Sequence, residues 1–328
     1  MRRSLALAVV TALAAIAGIA GAGGAAETYP SRTITMSVPY APGGPLDTLA
    51  RILAERLRPV LGQTVIIENV GGAGGSIGVG RVVRSAPDGY TIGAGNWGSH
   101  VANVAIYQLP YDVLKDLDPV TLLPVEPNVI VARKALPPNN LKELIAWLKQ
   151  NPDAATAGTS GVGGPSHMSA IFFEQQTGTR IRLVPYRGSG PALQDLVAGQ
   201  TDLMITAPSI VLPHVTSGAI KAYAVTAKTR LTVMPDIPTT DEAGLAGFYF
   251  SVWTALWVPK GTPSEIVARL AGAVRDVLAD PVLKSRLAAL GIEIPPPDML
   301  GPEPLRALHK ADTETWVPIL RAAGIKGE

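Results

Sequence analysis

The residues best placed to do chemistry form a series of glycine- and proline-rich corners. The first is Pro42-Gly43-Gly44-Pro45-Leu46-Asp47. An apolar run at 33–38 precedes it, and Leu46, Leu49, Ala50, Leu53 and Leu57 follow at helical spacing. A strand, a glycine turn and a helix start in succession leave first-turn N–H groups without intrahelical acceptors, and the helix dipole adds partial positive charge there. Gly43 and Gly44 carry no side chains to block approach, so the corner suits a carboxylate or another small anion. The same residues also read as a plain tight turn with Asp47 capping the helix, and on this stretch alone both readings stand. A second corner, residues 158–167, offers backbone amides together with the hydroxyls of Thr159, Ser160 and Ser166. Asn96-Trp97-Gly98-Ser99-His100 and Ala207-Pro208-Ser209 sit at two further strand ends, where ligands of open α/β sheets gather.

Covalent chemistry finds less support. Ser160 and His167 could be paired as nucleophile and base, but the residue two beyond Ser160 is Val162, not the glycine of a nucleophile elbow. No acid is placed by sequence to orient His167, which reads better as a packing or hydrogen-bonding residue in a helix's first turn. An exported hydrolase using this pair remains the alternative from a different class. Asp195 and Asp202 read as a solvated helix face and a turn residue. The loop at 71–78 lacks the GK[ST] ending of a phosphate cradle. Gly93-Ala94-Gly95-Asn96-Trp97-Gly98 matches the dinucleotide fingerprint in form, yet it lies in the third strand unit rather than the first. The four histidines (His100, His167, His214, His309) have no metal spacing, and no cysteine is present. No metal or cofactor is expected.

Several elements must position these corners. Arg2 and Arg3, an uncharged apolar run at 5–19 and small residues through Ala26 make residues 1–26 a secretory signal peptide. Removing Arg2 and Arg3 from the 28 Lys+Arg leaves 26 against 26 Asp+Glu, so the mature chain is neutral. Neutrality argues against nucleic-acid or anionic-membrane partners. The remaining length exceeds one typical core and suggests two domains. Short strands alternate with amphipathic helices, the pattern of an α/β fold. Asn140 with Glu143, Asp280-Pro281 and Thr262-Pro263-Ser264-Glu265 (threonine as cap) mark helix starts. Residues 109–127 are proline-dotted and read as irregular. The crossings between domains fall near 122–127 and near Trp253.

Taken together, these phrases resemble a known family. Tyr29-Pro30-Ser31-Arg32, Pro42-Gly43-Gly44 with Asp47, the glycines of 71–78, Ala86-Pro87-Asp88-Gly89-Tyr90-Thr91, Leu109-Pro110-Tyr111-Asp112, Val184-Pro185-Tyr186-Arg187-Gly188 and Gly199-Gln200-Thr201-Asp202-Leu203-Met204 occur in order over almost the whole mature chain. The set is similar to the periplasmic solute receptors of tripartite tricarboxylate transporters, the Bug (TctC-like) family. The resemblance implies a type II periplasmic-binding-protein fold, two doubly wound α/β lobes with a cleft between them. Lobe 1 would be 27–124 plus 252–328, and lobe 2 would be 125–251. It implies a monomeric, non-enzymatic receptor in the periplasm that takes a small organic carboxylate to two integral membrane subunits, or, in the signalling variant, to a sensor kinase. Carried over by position, the ligand residues are Pro42, Gly43, Gly44, Pro45, Leu46, Asp47, Asn96, Trp97, Gly98, Ser99, His100, Thr159, Ser160, Gly161, Ser166, His167, Ala207, Pro208 and Ser209. Trp97 and Pro45-Leu46 stand where relatives usually carry small polar residues. They suggest an apolar or aromatic carboxylate with Trp97 stacked on it, core packing being the other role open to Trp97.

Overall fold

The β-branched runs and glycine corners resolve, in a computed structural model, into ten strands and ten helices over the described residues 28–327. The expected signal peptide lies outside the described residues. Contacts divide the chain into Met1–Ser31 and Arg32–Glu328, and the fold described here belongs to the second unit.

The first sheet joins β1 (Ile34–Val38), β2 (Val65–Asn69), β3 (Thr91–Asn96), β4 (Leu117–Pro127) and β10 (Ser251–Pro259) in the order β2-β1-β3-β10-β4. β1 pairs in parallel with β2 and β3, whereas β10 runs antiparallel to β3 and β4. The second sheet joins β5 (Val129–Arg133), β6 (Thr156–Thr159), β7 (Arg182–Pro185), β8 (Leu203–Thr206) and β9 (Ile220–Val225) in the order β7-β6-β8-β5-β9. One residue, Asn128, separates β4 of the first sheet from β5 of the second, and β10 brings the chain back.

The helices are α1 (Pro45–Leu61), α2 (Ser76–Val83), α3 (Asn103–Ile106), α4 (Leu141–Gln150), α5 (Pro165–Thr177), α6 (Ser189–Val197), α7 (Pro208–Thr216), α8 (Ser264–Ala279), α9 (Pro281–Ala288) and α10 (Pro302–Ala322). Side-chain alternation explains how the second sheet is covered on both faces. Along β5, Ile130 and Ala132 pack with Leu141, Leu144 and Phe173, while Val129 and Val131 pack with Leu193, Leu196 and Val211. Each such large aliphatic side chain contributes about 1.5–3 kcal/mol by leaving water.

Residues 117–127 differ from the expected irregular segment, because they form the eleven-residue strand β4. β4 is an edge strand paired on one side only, so Pro119, Pro124 and Pro127 leave no ladder bond unmade on the open side. Asn140 accepts from the Glu143 N–H at 2.8 Å and Asp280 from the Val282 N–H at 2.9 Å, as their spacing predicted. The start of α8 is shifted by one residue. Pro263 is the cap, and Thr262 instead donates to the Pro259 carbonyl at 2.7 Å. Asp202 lies in the bend just before β8, where it binds Arg133 Nε at 2.7 Å and both the N–H and hydroxyl of Thr156. Asp195 likewise accepts from the Tyr186 hydroxyl at 2.6 Å.

Candidate functional site

Four helix starts meet at one cleft. α1 begins at Gly44-Pro45, α5 at Gly164-Pro165, α6 at Gly188-Ser189 and α7 at Ala207-Pro208, and in none of the four does the glycine or alanine at the cap position supply a side-chain bond. Proline at the first helical position presets φ and removes an N–H that has no partner there anyway. In α1 and α5 the glycine before that proline brings no side chain over the first turn, whereas in α7 Glu126 takes the Ser209 N–H. Gly44, Pro45, Leu46 and Asp47 of α1 line the cleft with Pro165 and Ser166 of α5, Ser189 of α6 and Ala207 before α7. About 660 Å³ of empty space, part of it open to solvent, lies within the cleft. Both sheets contribute to it.

The first corner is held by Asp47. Its carboxylate accepts from the Gly43 N–H at 2.9 Å, from Arg51 Nε at 3.0 Å and from Asn69 Nδ2 at 2.9 Å. Asp47 therefore does not cap from the helix-cap position. It reaches back from the first turn to Gly43, whose φ of +80° suits glycine best. Burial alone would raise the Asp47 carboxyl, but the bonds from Arg51, Gly43 and Asn69 outweigh it and hold the group below its usual range. The charge of this cleft-lining residue is thus balanced by Arg51 and by the Gly43 and Asn69 N–H groups.

Asn96 stands at the end of β3, where its Oδ1 accepts from the Tyr40 hydroxyl at 3.0 Å and the Ser99 N–H at 3.1 Å. Burial pushes the Tyr40 phenol well above its usual value, so it stays a neutral donor. On the second corner, Ser166 Oγ accepts from the Ser160 N–H at 2.6 Å and donates to Ser160 Oγ at 2.9 Å.

Of the residues expected from sequence, the cleft gathers Gly44, Pro45, Leu46, Asp47, Asn96, Ser160, Ser166 and Ala207. The others lie behind it. Pro42 and Gly43 abut α6, where a Cβ on Gly190 would come 2.2 Å from the Pro42 carbonyl oxygen. Trp97 does not line the cleft: it packs edge-on to Trp316 at 5.6 Å in a cluster with Phe250 and Leu320, so its ring is occupied by the core. Gly98 backs onto the Gly163 carbonyl. Ser99 is fully buried and bonded to His100 Nδ1 at 2.9 Å, and His100 stacks on Trp257 at 3.7 Å. Thr159 Oγ1 donates to the Val184 carbonyl at 3.4 Å, and the Gly161 carbonyl accepts from the Gly164 N–H at 2.9 Å. His167 Nδ1 receives the Gly163 N–H at 3.4 Å, and burial pushes its imidazole down to about 4. Ser160 and His167 thus have separate partners. Pro208 faces Gly291, and Ser209 donates to Glu126.

Sequence reasoning missed Glu126 and Asn128. They lie two residues apart, both line the cleft, and they flank Pro127 where the chain passes from β4 to β5. Glu126 Oε2 accepts from the Ser209 N–H at 3.1 Å and Oε1 from the Ser209 hydroxyl at 2.9 Å. Burial pushes its carboxyl up to about 7 against the pull of those bonds. The alternation of a strand leaving one sheet for the other was the available signal. The irregular reading of 109–127 hid it. Among the described residues lining the cleft there is no Lys, Arg or His, so an anion there would be held by backbone amides and neutral hydroxyl and amide groups. The described residues hold no group of three or more His, Cys, Asp or Glu able to bind a metal, and no helix among them is long and apolar enough to cross a membrane.

Comparison with known proteins agrees with this arrangement. The family model of the tripartite tricarboxylate transporter family receptor matches residues 49–320. Protein BugT of Bordetella pertussis is 35% identical over 92% of this chain and 92% of its own length. The solved periplasmic binding protein BugD superposes with a TM-score of 0.87 at 40% identity, covering 92% of this chain and all of that one. MatC from Rhodopseudomonas palustris, solved with bound malate, gives 0.84 at 39% identity, covering 89% and 100%. The chain has the two-lobed α/β fold of periplasmic binding proteins, and it belongs to the tripartite tricarboxylate transporter receptor family.

Proposed function

We propose that this protein is exported by residues 1–26 and works in the periplasm as a monomeric receptor. It captures a small organic carboxylate by lobe closure and delivers it to the two integral membrane subunits of a tripartite tricarboxylate-type transporter. Lobe 1 is 27–124 with 252–328, and lobe 2 is 125–251. The hinge lies where the chain crosses near Pro127 and near Trp253. No covalent step belongs to this function.

The single observation that carries the reading is the convergence of four helix starts, with only the Ser209 N–H of α7 taken by a carboxylate, on a cleft lined by no cationic side chain among the described residues. Such a site favours an anion through backbone N–H groups and helix dipoles. The malate bound to the relative MatC is a ligand of this chemical class. The residues at the cleft wall, Gly44 to Asp47, Asn96, Ser160, Ser166 and Ala207, are the proposed contacts.

The test is a thermal-shift screen over mono-, di- and tricarboxylates, followed by calorimetry. A true ligand at a hundred times its dissociation constant adds about 2.7 kcal/mol of stability. Stabilisation by an unmodified acid in a one-to-one complex supports the reading. Response to neutral sugars alone, or turnover of an ester lost in Ser160→Ala, overturns it.

A further inference from the structure

The cleft poses a charge problem. Asp47 is neutralised by Arg51, but Glu126 has no cationic partner: its two oxygens accept from the N–H and hydroxyl of Ser209 alone. An ionised Glu126 beside an incoming carboxylate would be a like-charge pair in a poorly hydrated space, and such a pair binds a proton. Two residues further on, just past the end of β4, the Asn128 amide Nδ2 is buried and has no hydrogen-bond partner among the described residues. Together these side chains form a second polar pole on a wall otherwise made largely of Pro124, Val252, Leu46 and Leu49.

Resting on the receptor reading above, we propose that Glu126 enters the bound complex as the neutral acid. Its O–H and the Asn128 amide donate to the second carboxylate of a dicarboxylate whose first carboxylate sits at the helix starts. Capture of the dianion therefore takes up one proton, which ends on Glu126 Oε1 while that oxygen still accepts from Ser209 Oγ. The surroundings leave no other group to absorb the charge. Among the described residues lining the cleft, the other titratable groups are Asp47, paired with Arg51 on α1, and the buried phenol of Tyr40. β10 contributes Ser251, Val252 and Thr254, and α7 contributes Ser209 after Ala207. Glu293, whose backbone bridges Val125, is exposed. The rise of the Glu126 carboxyl to about 7, caused by burial, agrees with this placement.

The experiment is calorimetry on the whole protein with succinate, malate and adipate at about pH 5.5, 7.5 and 8.5, repeated in two buffers of different ionisation enthalpy. These acids are fully ionised at the two higher values. The expected result is about one proton taken up per dicarboxylate and about a tenfold loss of affinity from pH 7.5 to 8.5. In Glu126→Gln the pH dependence vanishes, and affinity at the highest pH exceeds that of the wild type. Binding with no proton uptake and no pH dependence overturns the inference while leaving the receptor reading intact. So does a folded Glu126→Gln that loses binding at every pH, or an amino dicarboxylate that outcompetes the plain ones through its ammonium group. If no carboxylate binds at any pH, the receptor reading itself fails and the inference goes with it. The two-buffer measurement needs no variant, so it decides the matter even if Glu126→Gln folds poorly.

Discussion

Glu126→Gln should make the ligand-free protein more stable at neutral pH and leave it unchanged in acid. In the folded chain the Glu126 carboxyl is raised by burial from 4.5 to about 7. Below 4.5 both folded and unfolded chains hold the proton, so the site contributes its full share of stability. As pH rises toward 7 the unfolded chain ionises and the folded chain does not, so wild-type stability falls by about 1.4 kcal/mol for each pH unit. The whole window amounts to about 3 kcal/mol as an upper figure. Glu126 keeps some exposure at the cleft wall, which trims this toward about 2 kcal/mol. Glutamine preserves the shape: its oxygen still accepts from the Ser209 N–H, and its NH₂ donates to Ser209 Oγ. For a chain of this length about 2 kcal/mol is about 3 °C in Tm. Urea or thermal unfolding of both proteins at about pH 5 and pH 8 isolates the effect, because every other titrating group is common to the two. If the two stability curves run parallel from pH 4.5 to 7, the carboxyl is not buried as described, and the charge argument for the cleft falls.

Four further outcomes can be checked. Gly190→Ala, in α6, should hold the lobes apart: its Cβ would come 2.2 Å from the Pro42 carbonyl, so carboxylate affinity should fall at least tenfold and scattering should report a more open molecule, with Tm unchanged or slightly raised. Trp97→Ala should cost about 3–5 kcal/mol of stability with little change in affinity per folded molecule; lost affinity in a fully stable variant would restore the stacking role. Asp280→Ala should cost about 1 kcal/mol by removing the cap from the Val282 N–H, measurable by urea unfolding. Asp47 and Asp202 are both held below their usual 3.8, where burial is outweighed by their hydrogen bonds and by Arg51 and Arg133. Their stability is present above that value and lost as pH falls through the lowered ones, so Asp202→Asn should flatten the acid limb of the unfolding curve.

Much of the site was legible because its chemistry is written in backbone-shaping residues. Gly44-Pro45 and Gly164-Pro165 announce helix starts with bare amides, and Ala207-Pro208 announces a third whose Ser209 N–H is taken by Glu126. The alternation of strands and amphipathic helices gave the α/β class. What sequence could not supply was depth. Trp97, Ser99 and His100 sit next to Asn96 in the chain, but the wide π-type turn at Gly98–Ala102 swings them into the core against Trp316 and Trp257. Only Asn96 of that group reaches the cleft. Glu126 was hidden for the opposite reason. Its prolines suggested a loop, while edge position in the sheet allows them in a strand, and Asn128, the single residue between β4 and β5, lines the same cleft as Glu126.

The loops that would grip an anion are also the loops that join the lobes. The Ala41 N–H donates to the Arg187 carbonyl at 3.0 Å, Tyr107 Oη donates to the Val162 carbonyl at 2.9 Å, and Gly43 lies against Gly190. These bonds tie the neighbourhoods of β1 and β3 to those of α5 and α6, whose N-termini line the cleft. A backbone N–H facing water gains little from a carboxylate, because it exchanges one good hydrogen bond for another; with water excluded, the same contact is electrostatically stronger. An anion at the helix starts therefore favours the closed arrangement, and the closed arrangement strengthens its own hold on the anion. Only a ligand with differential affinity for the closed form can shift that balance. A cleft that used lysine or arginine for affinity would bind nearly as well when open, so under the proposed function the lack of cationic side chains among the described residues lining this cleft would couple capture to closure.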